Sequence, residues 1–304
     1  MRQPESPSND DQAAARWLSL SGLPNITPTV LARLFRRLGS GEAIFSASPE
    51  QLRETGLDPA KVTSAKELCE AILHQIEDFS EDGIEAVPVE SPRYSRGLLD
   101  LRTPPMVVFT SGEVRPEDTR AIAIVGTRAP SAKGLQMTRE LARRAVAAGF
   151  CVVSGLARGI DTAAHQSALF AGGRTIAVLG NGLCNVYPPE NDNLASRIRR
   201  KGALVSELWP EDPVSRRSLL ARDRLQAAMS LAVLVVQANI GCGSLTTARH
   251  AISCRRPLFA IRWQEEPFMT GLARLRQIGA KVISKDDLDE VFRTADAAKT
   301  EGLF

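Results

Sequence analysis

The chain has 304 residues, 43% of them hydrophobic and 24% charged, with a formal net charge of only +3, which suits one large core plus a smaller appended domain. So small a net charge excludes a polybasic nucleic-acid binder, and any anion site must come from local placement of arginines and backbone N–H groups. No run reaches the roughly 18 apolar residues of a membrane helix, no apolar signal-peptide core opens the chain, and the scattered Cys69, Cys151, Cys184, Cys242 and Cys254, with His74, His165 and His250, fit neither a disulfide framework nor a metal cluster, so a cytoplasmic protein is expected.

In chain order, residues 1–12 read as a polar, disordered leader. Residues 13–80 read as a small helical domain: Trp17, Leu18, Leu20, then Val30, Leu31, Leu34, Phe35 and Leu38 keep helical spacing, Gly39 and Gly41 break it, and Pro49 opens a further helix. Within it Leu23-Pro24-Asn25-Ile26-Thr27-Pro28 is similar to a helix-hairpin-helix DNA motif, but Asn25 and Thr27 stand where phosphate-approaching glycines belong, so a structural role is expected. Residues 81–120, rich in Pro and Gly, read as a linker with an edge strand at Met106-Val107-Val108-Phe109. Short apolar strands at 121–125, 150–153, 175–179, 203–206, 232–237, 257–261 and 281–283 follow, with helical patterns such as 135–148 and 163–170 between most of them. The fold class is therefore α/β, a mostly parallel sheet covered on both faces over residues 121–293. A last helix at 286–292 and a frayed tail at 294–304 close the chain.

In such a sheet ligands bind beyond the carboxyl ends of the strands. Gly126-Thr127-Arg128, with Ser131 and Gly134, forms the first such loop; any strand-to-helix turn can hold glycine, so alone it decides little. The second, Ser154-Gly155-Leu156-Ala157-Arg158-Gly159-Ile160-Asp161, places two glycines and an arginine after a buried strand, which suits phosphate contact through N–H groups, Ser154 and Arg158. Asp161 and His165 there read as a helix cap and its helix rather than as ligands. The third holds Gly180-Asn181-Gly182 and the Tyr187-Pro188 stretch; the fourth, Gly241-Cys242-Gly243-Ser244, can form a backbone nest for an anion or merely cap a helix. There is no Gly-x-Ser-x-Gly elbow, no His-Glu-x-x-His and no acid–base carboxylate pair beside a glycine loop.

Val125-Gly126-Thr127-Arg128, the stretch from Ser154 to Asp161 with His165, Ile176-Ala177-Val178-Leu179-Gly180, Tyr187-Pro188 with Asn191, Ser206-Glu207 and Gly243-Ser244-Leu245 with Thr247-Ala248 resemble, in this order, the DprA/Smf family of DNA-processing proteins. The helical front is similar to that family's N-terminal sterile-alpha-motif-like domain. The resemblance implies an extended Rossmann-like fold, a homodimer, single-stranded DNA binding, and handover of the strand to RecA recombinase during natural transformation. It also implies phosphate contacts from Arg222 and Arg224, because the family's Phe-Pro-x-Arg-Asn-Arg appears as Leu219-Leu220-Ala221-Arg222-Asp223-Arg224, with Asp223 in place of Asn. Cys242 replaces a serine, Gln237 a glutamate, and Ala260-Ile261-Arg262-Trp263 an Ala-Val-Pro-Gly run; the resemblance leaves no residues for the winged-helix domain that many members carry at the C-terminus.

The expected DNA-binding set is Gly126, Thr127, Arg128, Ser154, Gly155, Arg158, Gly180, Gly182, Arg222, Arg224, Gly243 and Ser244, with no catalytic residue, no metal and no cofactor. Stacking on Tyr187, Trp209 or Trp263 would favour a single strand. The run Arg197, Arg199, Arg200 and Lys201 extends a DNA track or, more simply, suits a helix C-terminus. The alternatives are a nucleotide-binding sensor and a nucleotide hydrolase of the lysine-decarboxylase-like (LOG) group, whose Pro-Gly-Gly-x-Gly-Thr-x-x-Glu motif is absent here.

Overall fold

The computed structural model describes residues 7–264 and 267–300, which form two compact units. The first ends at Tyr94 and takes in Arg102–Thr110; the second takes Ser95–Leu101 and the chain from Ser111 onward.

The first unit holds α1 (Asn9–Ser21), α2 (Pro28–Leu38), α3 (Gly41–Ser46), α4 (Pro49–Glu54) and α5 (Pro59–Glu81). Each starts at a side-chain cap, Ser8, Thr27, Ser40, Ser48 and Asp58 in turn, satisfying N–H groups that the helix itself cannot. Trp17, Leu20, Leu34, Ile44 and Ile76 are buried between the helices, each contributing about 1.5–3 kcal/mol. The Trp17 indole N–H donates to Glu90 Oε2 at 2.7 Å and the Gly41 N–H to Glu90 Oε1 at 3.2 Å, so the carboxylate is held at both oxygens. At the hairpin-like turn Thr27 Oγ1 accepts from the Val30 N–H at 3.4 Å, a helix cap. Two differences from expectation stand out. The leader expected over 1–12 gives way to α1 from Asn9, because Ser8 and Asp11 close a reciprocal capping box; residues 1–6 lie outside the described residues. Beyond the helices expected over 13–80, the unit also carries one strand more than the edge strand expected at 106–109. It contains β1 (Ile84–Pro88) and most of β2 (Val107–Gly112); β1 is short, ends on proline and shows no clean alternation.

The second unit holds β3 (Ala121–Val125), α6 (Ala132–Ala147), β4 (Cys151–Ser154), α7 (Ile160–Phe170), β5 (Thr175–Val178), α8 (Asp192–Lys201), β6 (Ala203–Ser206), α9 (Arg216–Ala221), α10 (Asp223–Ala228), β7 (Ala232–Val235), α11 (Ser244–Ser253), β8 (Leu258–Ile261), α12 (Phe268–Ile278), β9 (Lys281–Ile283) and α13 (Leu288–Thr300). The strands lie in the order β6-β5-β4-β3-β7-β8-β9, and every one of these pairs is parallel. Successive side chains point to opposite faces. Ile122, Ile124, Leu234 and Phe259 join Leu141 of α6, Ala164 of α7 and Val291 of α13; Ala123, Val125, Val233 and Leu258 join Ala248 of α11 and Leu272 of α12. Both faces are thus covered, as continuous apolar strands require. The tail expected to fray from 294 is helical to Thr300, with Ala295 and Ala298 buried; residues 301–304 lie outside the described residues. Around Arg222 two short helices, α9 and α10, meet.

The chain lays down β3, β4, β5 and β6 in one direction, then returns to the other side of β3 for β7, β8 and β9. The loops after β3 and β7 therefore diverge, opening a crevice at the carboxyl ends of the strands. Among the described residues no helix is long and apolar enough to cross a membrane, and no three His, Cys, Asp or Glu side chains stand close enough to share a metal ion.

Candidate functional site

That crevice is a cleft of about 1090 Å³, bounded by the loops after β3 and β7, α9, the start of α10, and faces of α11 and α12. Its floor is internally bonded. Arg222, at the α9–α10 junction, is 5% exposed. Its guanidinium donates to the carbonyl oxygens of Gly155 (2.6 Å) and Val178 and, through Nε, to Asp223 Oδ1 at 3.0 Å. Buried charge is stable only when bonded in this way. Gly155 carries no side chain because a methyl there would overlap Arg222, and its N–H donates to Asp161 Oδ2 at 3.2 Å. Burial raises the Asp161 carboxyl above its usual range, against the pull of Arg222.

His165 sits beneath this floor, fully buried. The Leu156 N–H donates to Nε2 at 3.3 Å. That fixes the proton on Nδ1, which faces Thr175 Oγ1 at 2.7 Å; the threonine hydroxyl donates to the Val152 carbonyl. Every polar atom of the ring is used within the fold. Burial, with Arg222 adding to it, lowers the imidazole to about 3, so it stays neutral and structural. Gly159, with φ 77°, opens α7 in a conformation L side chains avoid, and a Cβ there would crowd the Thr127 carbonyl oxygen at 2.5 Å.

The wall is different. Arg128, Arg216, Arg249 and Arg274 line the same cleft and are exposed. Among the described residues the guanidinium groups of Arg128, Arg216 and Arg249 make no hydrogen bond or ion pair, and Arg274 donates to Gln277 Oε1 at 2.7 Å. Interleaved with them are the exposed apolar side chains of Tyr187, Leu220 and Ile240, the last 73% exposed. Among the described residues only two acids, Asp161 and Asp223, reach the cleft lining. Chemically such a groove can receive a chain of monoanions on its cations and apolar faces on its rim.

The expected site residues sort themselves by this geometry. Gly126, Thr127, Arg128, Arg222, Gly243 and Ser244 line the cleft; Gly155 and Arg158 join Arg128, Arg222 and Tyr187 around a side pocket of about 20 Å³. Arg158 is exposed and paired with Glu190. Ser154, Gly180, Gly182 and Arg224 line neither pocket. The Ser154 hydroxyl donates to the Ile124 carbonyl at 2.7 Å; Gly180 and Gly182 make room for Leu219 and the 209–210 backbone; Arg224 pairs with Glu207. The phosphate contacts expected of Arg222 and Arg224 thus meet side chains already engaged, while Arg216 and Arg249 make no hydrogen bond or ion pair among the described residues and Arg274 is exposed with a bond to Gln277. Gln237, in place of glutamate, holds the start of α6: the Ser131 N–H donates to its Oε1 at 3.0 Å and its Nε2 to Ser131 Oγ at 2.8 Å, an exchange an amide makes and a carboxylate does not. Trp263 donates to the Val236 carbonyl at 2.5 Å and packs on the core, not in the cleft. Arg199, Arg200 and Lys201 fall in the last turn of α8, where cations suit the helix dipole.

Comparison with known proteins gives this geometry a setting. The family model for DNA recombination-mediator protein A matches residues 85–294. Protein Smf of Synechocystis is 33% identical over 267 residues, covering 84% of this chain and 65% of that protein, so the chain spans just under two thirds of that relative's length. DNA processing protein DprA of Bacillus subtilis is 36% identical over 226 residues, 73% of this chain and 76% of its own. Among solved structures, DprA from Streptococcus pneumoniae superposes with a TM-score of 0.76 at 26% identity, over 91% of this chain and 96% of that one. DprA from Helicobacter pylori, described for its single-stranded DNA binding mode, superposes with 0.62 at 29% identity, over 70% and 96%. With the family model matched over residues 85–294, well over half of the chain, and with a relative 36% identical across 73% of it, the chain belongs to the DNA recombination-mediator protein A family.

Proposed function

We propose that the cleft binds single-stranded DNA without sequence preference, and that it works by binding alone, with no turnover, metal or cofactor. The observation that carries this reading is the arginine wall, Arg128, Arg216, Arg249 and Arg274, set among the exposed apolar side chains of Tyr187, Leu220 and Ile240 in one groove. Phosphates give affinity and no sequence information; apolar rim groups reward bases that are not already stacked in a duplex. The single-stranded DNA binding described for the Helicobacter pylori relative supports the same choice. The engaged residues of the floor, Arg222 and Gly155 above all, position the wall rather than touch the strand. The reading extends to what the resemblance implies: a cytoplasmic homodimer that passes the strand to RecA in DNA processing and natural transformation. The test sets a fluorescent single strand, the matching duplex and a nucleoside monophosphate side by side. The strand is expected to bind tightest, with affinity falling as salt rises by a log–log slope of about −0.7 per phosphate contact. Equal affinity for duplex, or hydrolysis of the monophosphate, overturns the proposal.

A further inference from the structure

The floor of the cleft carries one group that works against an anionic ligand. Asp223 has a side chain only 7% exposed. Its Oδ1 accepts from Arg222 Nε at 3.0 Å. Its Oδ2 has no hydrogen-bond partner among the described residues and lies 3.7 Å from where a Cβ on Gly243 would stand, at the head of α11. That helix has no side-chain cap, and its N-terminal end favours negative charge. A carboxylate charge in the floor therefore lies within electrostatic reach of Arg128 on the wall, where a phosphate would be held.

We infer that Asp223 is a specificity-determining residue of this cleft: while ionised it weakens capture of a phosphodiester strand, and on taking up a proton it strengthens it. The inference rests on the DNA reading above. The charged groups that act on Asp223 are Arg222 from the α9–α10 junction, Asp161 from α7 and Arg128 from the β3–α6 loop. α11 presents the uncharged Gly243 and Ser244, with Arg249 and His250 further along the helix. Burial raises the Asp223 carboxyl to about 6, with Arg222 pulling it down, Asp161 pushing it up and Arg128 pulling down more weakly. The group thus changes charge within a range where the protein is handled. An approaching phosphate raises its proton affinity further. Strand binding then takes up a proton, and affinity falls as pH rises through and above about 6. Asn at this position keeps an oxygen acceptor for Arg222 Nε and removes the charge, so Asp223→Asn isolates the electrostatic effect.

The experiment measures the affinity of the 304-residue protein for a fluorescent oligothymidylate, which does not titrate in this range, from pH 5.5 to 8 at fixed ionic strength, for wild type and Asp223→Asn. Wild type is expected to bind roughly three- to tenfold tighter at pH 5.5 than at pH 8, the size of one like-charge contact at intermediate dielectric. Asp223→Asn is expected to bind at pH 8 as tightly as wild type does at pH 5.5, with a flat profile. Calorimetry in two buffers of different ionisation enthalpy supplies a second readout on wild type alone: net proton uptake on binding at pH 6.5. If both proteins bind the strand with the same pH profile, or wild type takes up no proton, the role of Asp223 is overturned while the DNA reading stands; a slope kept in Asp223→Asn would assign the proton to Asp161 or His250. If neither protein binds at any pH, the DNA reading falls and this inference falls with it.

Discussion

The floor and the wall of the cleft are built from the same residue type and do opposite work. Arg222 in the floor gives its guanidinium to two backbone carbonyls and a carboxylate, and it is buried. Arg128, Arg216 and Arg249 on the wall are exposed and give theirs to nothing among the described residues. An arginine at the carboxyl edge of a parallel sheet is therefore not by that position a ligand contact. What separates the two groups is who satisfies the donors: backbone of the same chain in the floor, incoming phosphate in the account given for the wall.

The largest expected effect is on the floor. Arg222→Ala removes the guanidinium donor from the Gly155 and Val178 carbonyls and the cation from Asp223, and breaking a buried pair of this kind costs about 3–5 kcal/mol. Chemical denaturation is expected to show that loss; a variant as stable as wild type would dissolve the division between floor and wall. The floor also predicts a pH dependence of folding. His165 has its folded value lowered to about 3, against about 6.5 unfolded, so the unfolded chain binds the proton more readily. The stability it contributes is complete above about 6.5 and is lost as pH falls toward 3, at up to about 1.4 kcal/mol per pH unit. Asp223, raised to about 6, opposes this: its contribution is present at low pH and lost as pH rises through about 6. Asp223→Asn is therefore expected to steepen the acid loss seen in denaturation curves between pH 6 and 4, and an unchanged slope would contradict the sign. On the wall, Arg128→Ala, Arg216→Ala and Arg249→Ala are each expected to weaken strand binding by roughly tenfold, about 1.4 kcal/mol, with melting temperature unchanged; a shifted melting temperature would move that arginine to the floor. Smallest of all is Arg158→Ala. Its pair with Glu190 is exposed on both sides, so both melting temperature and strand affinity are expected to stay close to wild type, and a loss of affinity would return Arg158 to the site.

Much of the fold was legible because the second unit's strands are unbroken apolar runs: β3, β6 and β9 begin and end where the pattern places them, and the others differ by one or two residues at their ends. β1 was not legible, since five residues ending on proline in a glycine-rich stretch lack both the length and the alternation that mark a strand. In the site, the place of the loop after β3 on the edge of the cleft was readable from its glycine and position. The burial of Arg222 was not, because its partners lie 67 and 44 residues away and are backbone carbonyls with no side-chain signature. Arg216, Arg249 and Arg274 come from three helices separated by two strands. On a sequence each looks like an ordinary solvated helix charge; only the return of the chain across β3 brings them to one wall. The one available signal was that α11 follows a glycine loop at a strand's carboxyl end, which makes the exposed face of its first turns a place to look.

The central claim is that the exposed wall, and not the buried floor, receives the phosphates. It is tested most directly by the salt dependence of single-strand affinity for wild type and for the triple variant Arg128→Ala/Arg216→Ala/Arg249→Ala, with melting temperatures taken on the same samples. Three lost contacts are expected to reduce the log–log slope by about 2, at about 0.7 per contact, with an unchanged melting temperature. A slope equal to that of wild type, at any affinity, would contradict the account.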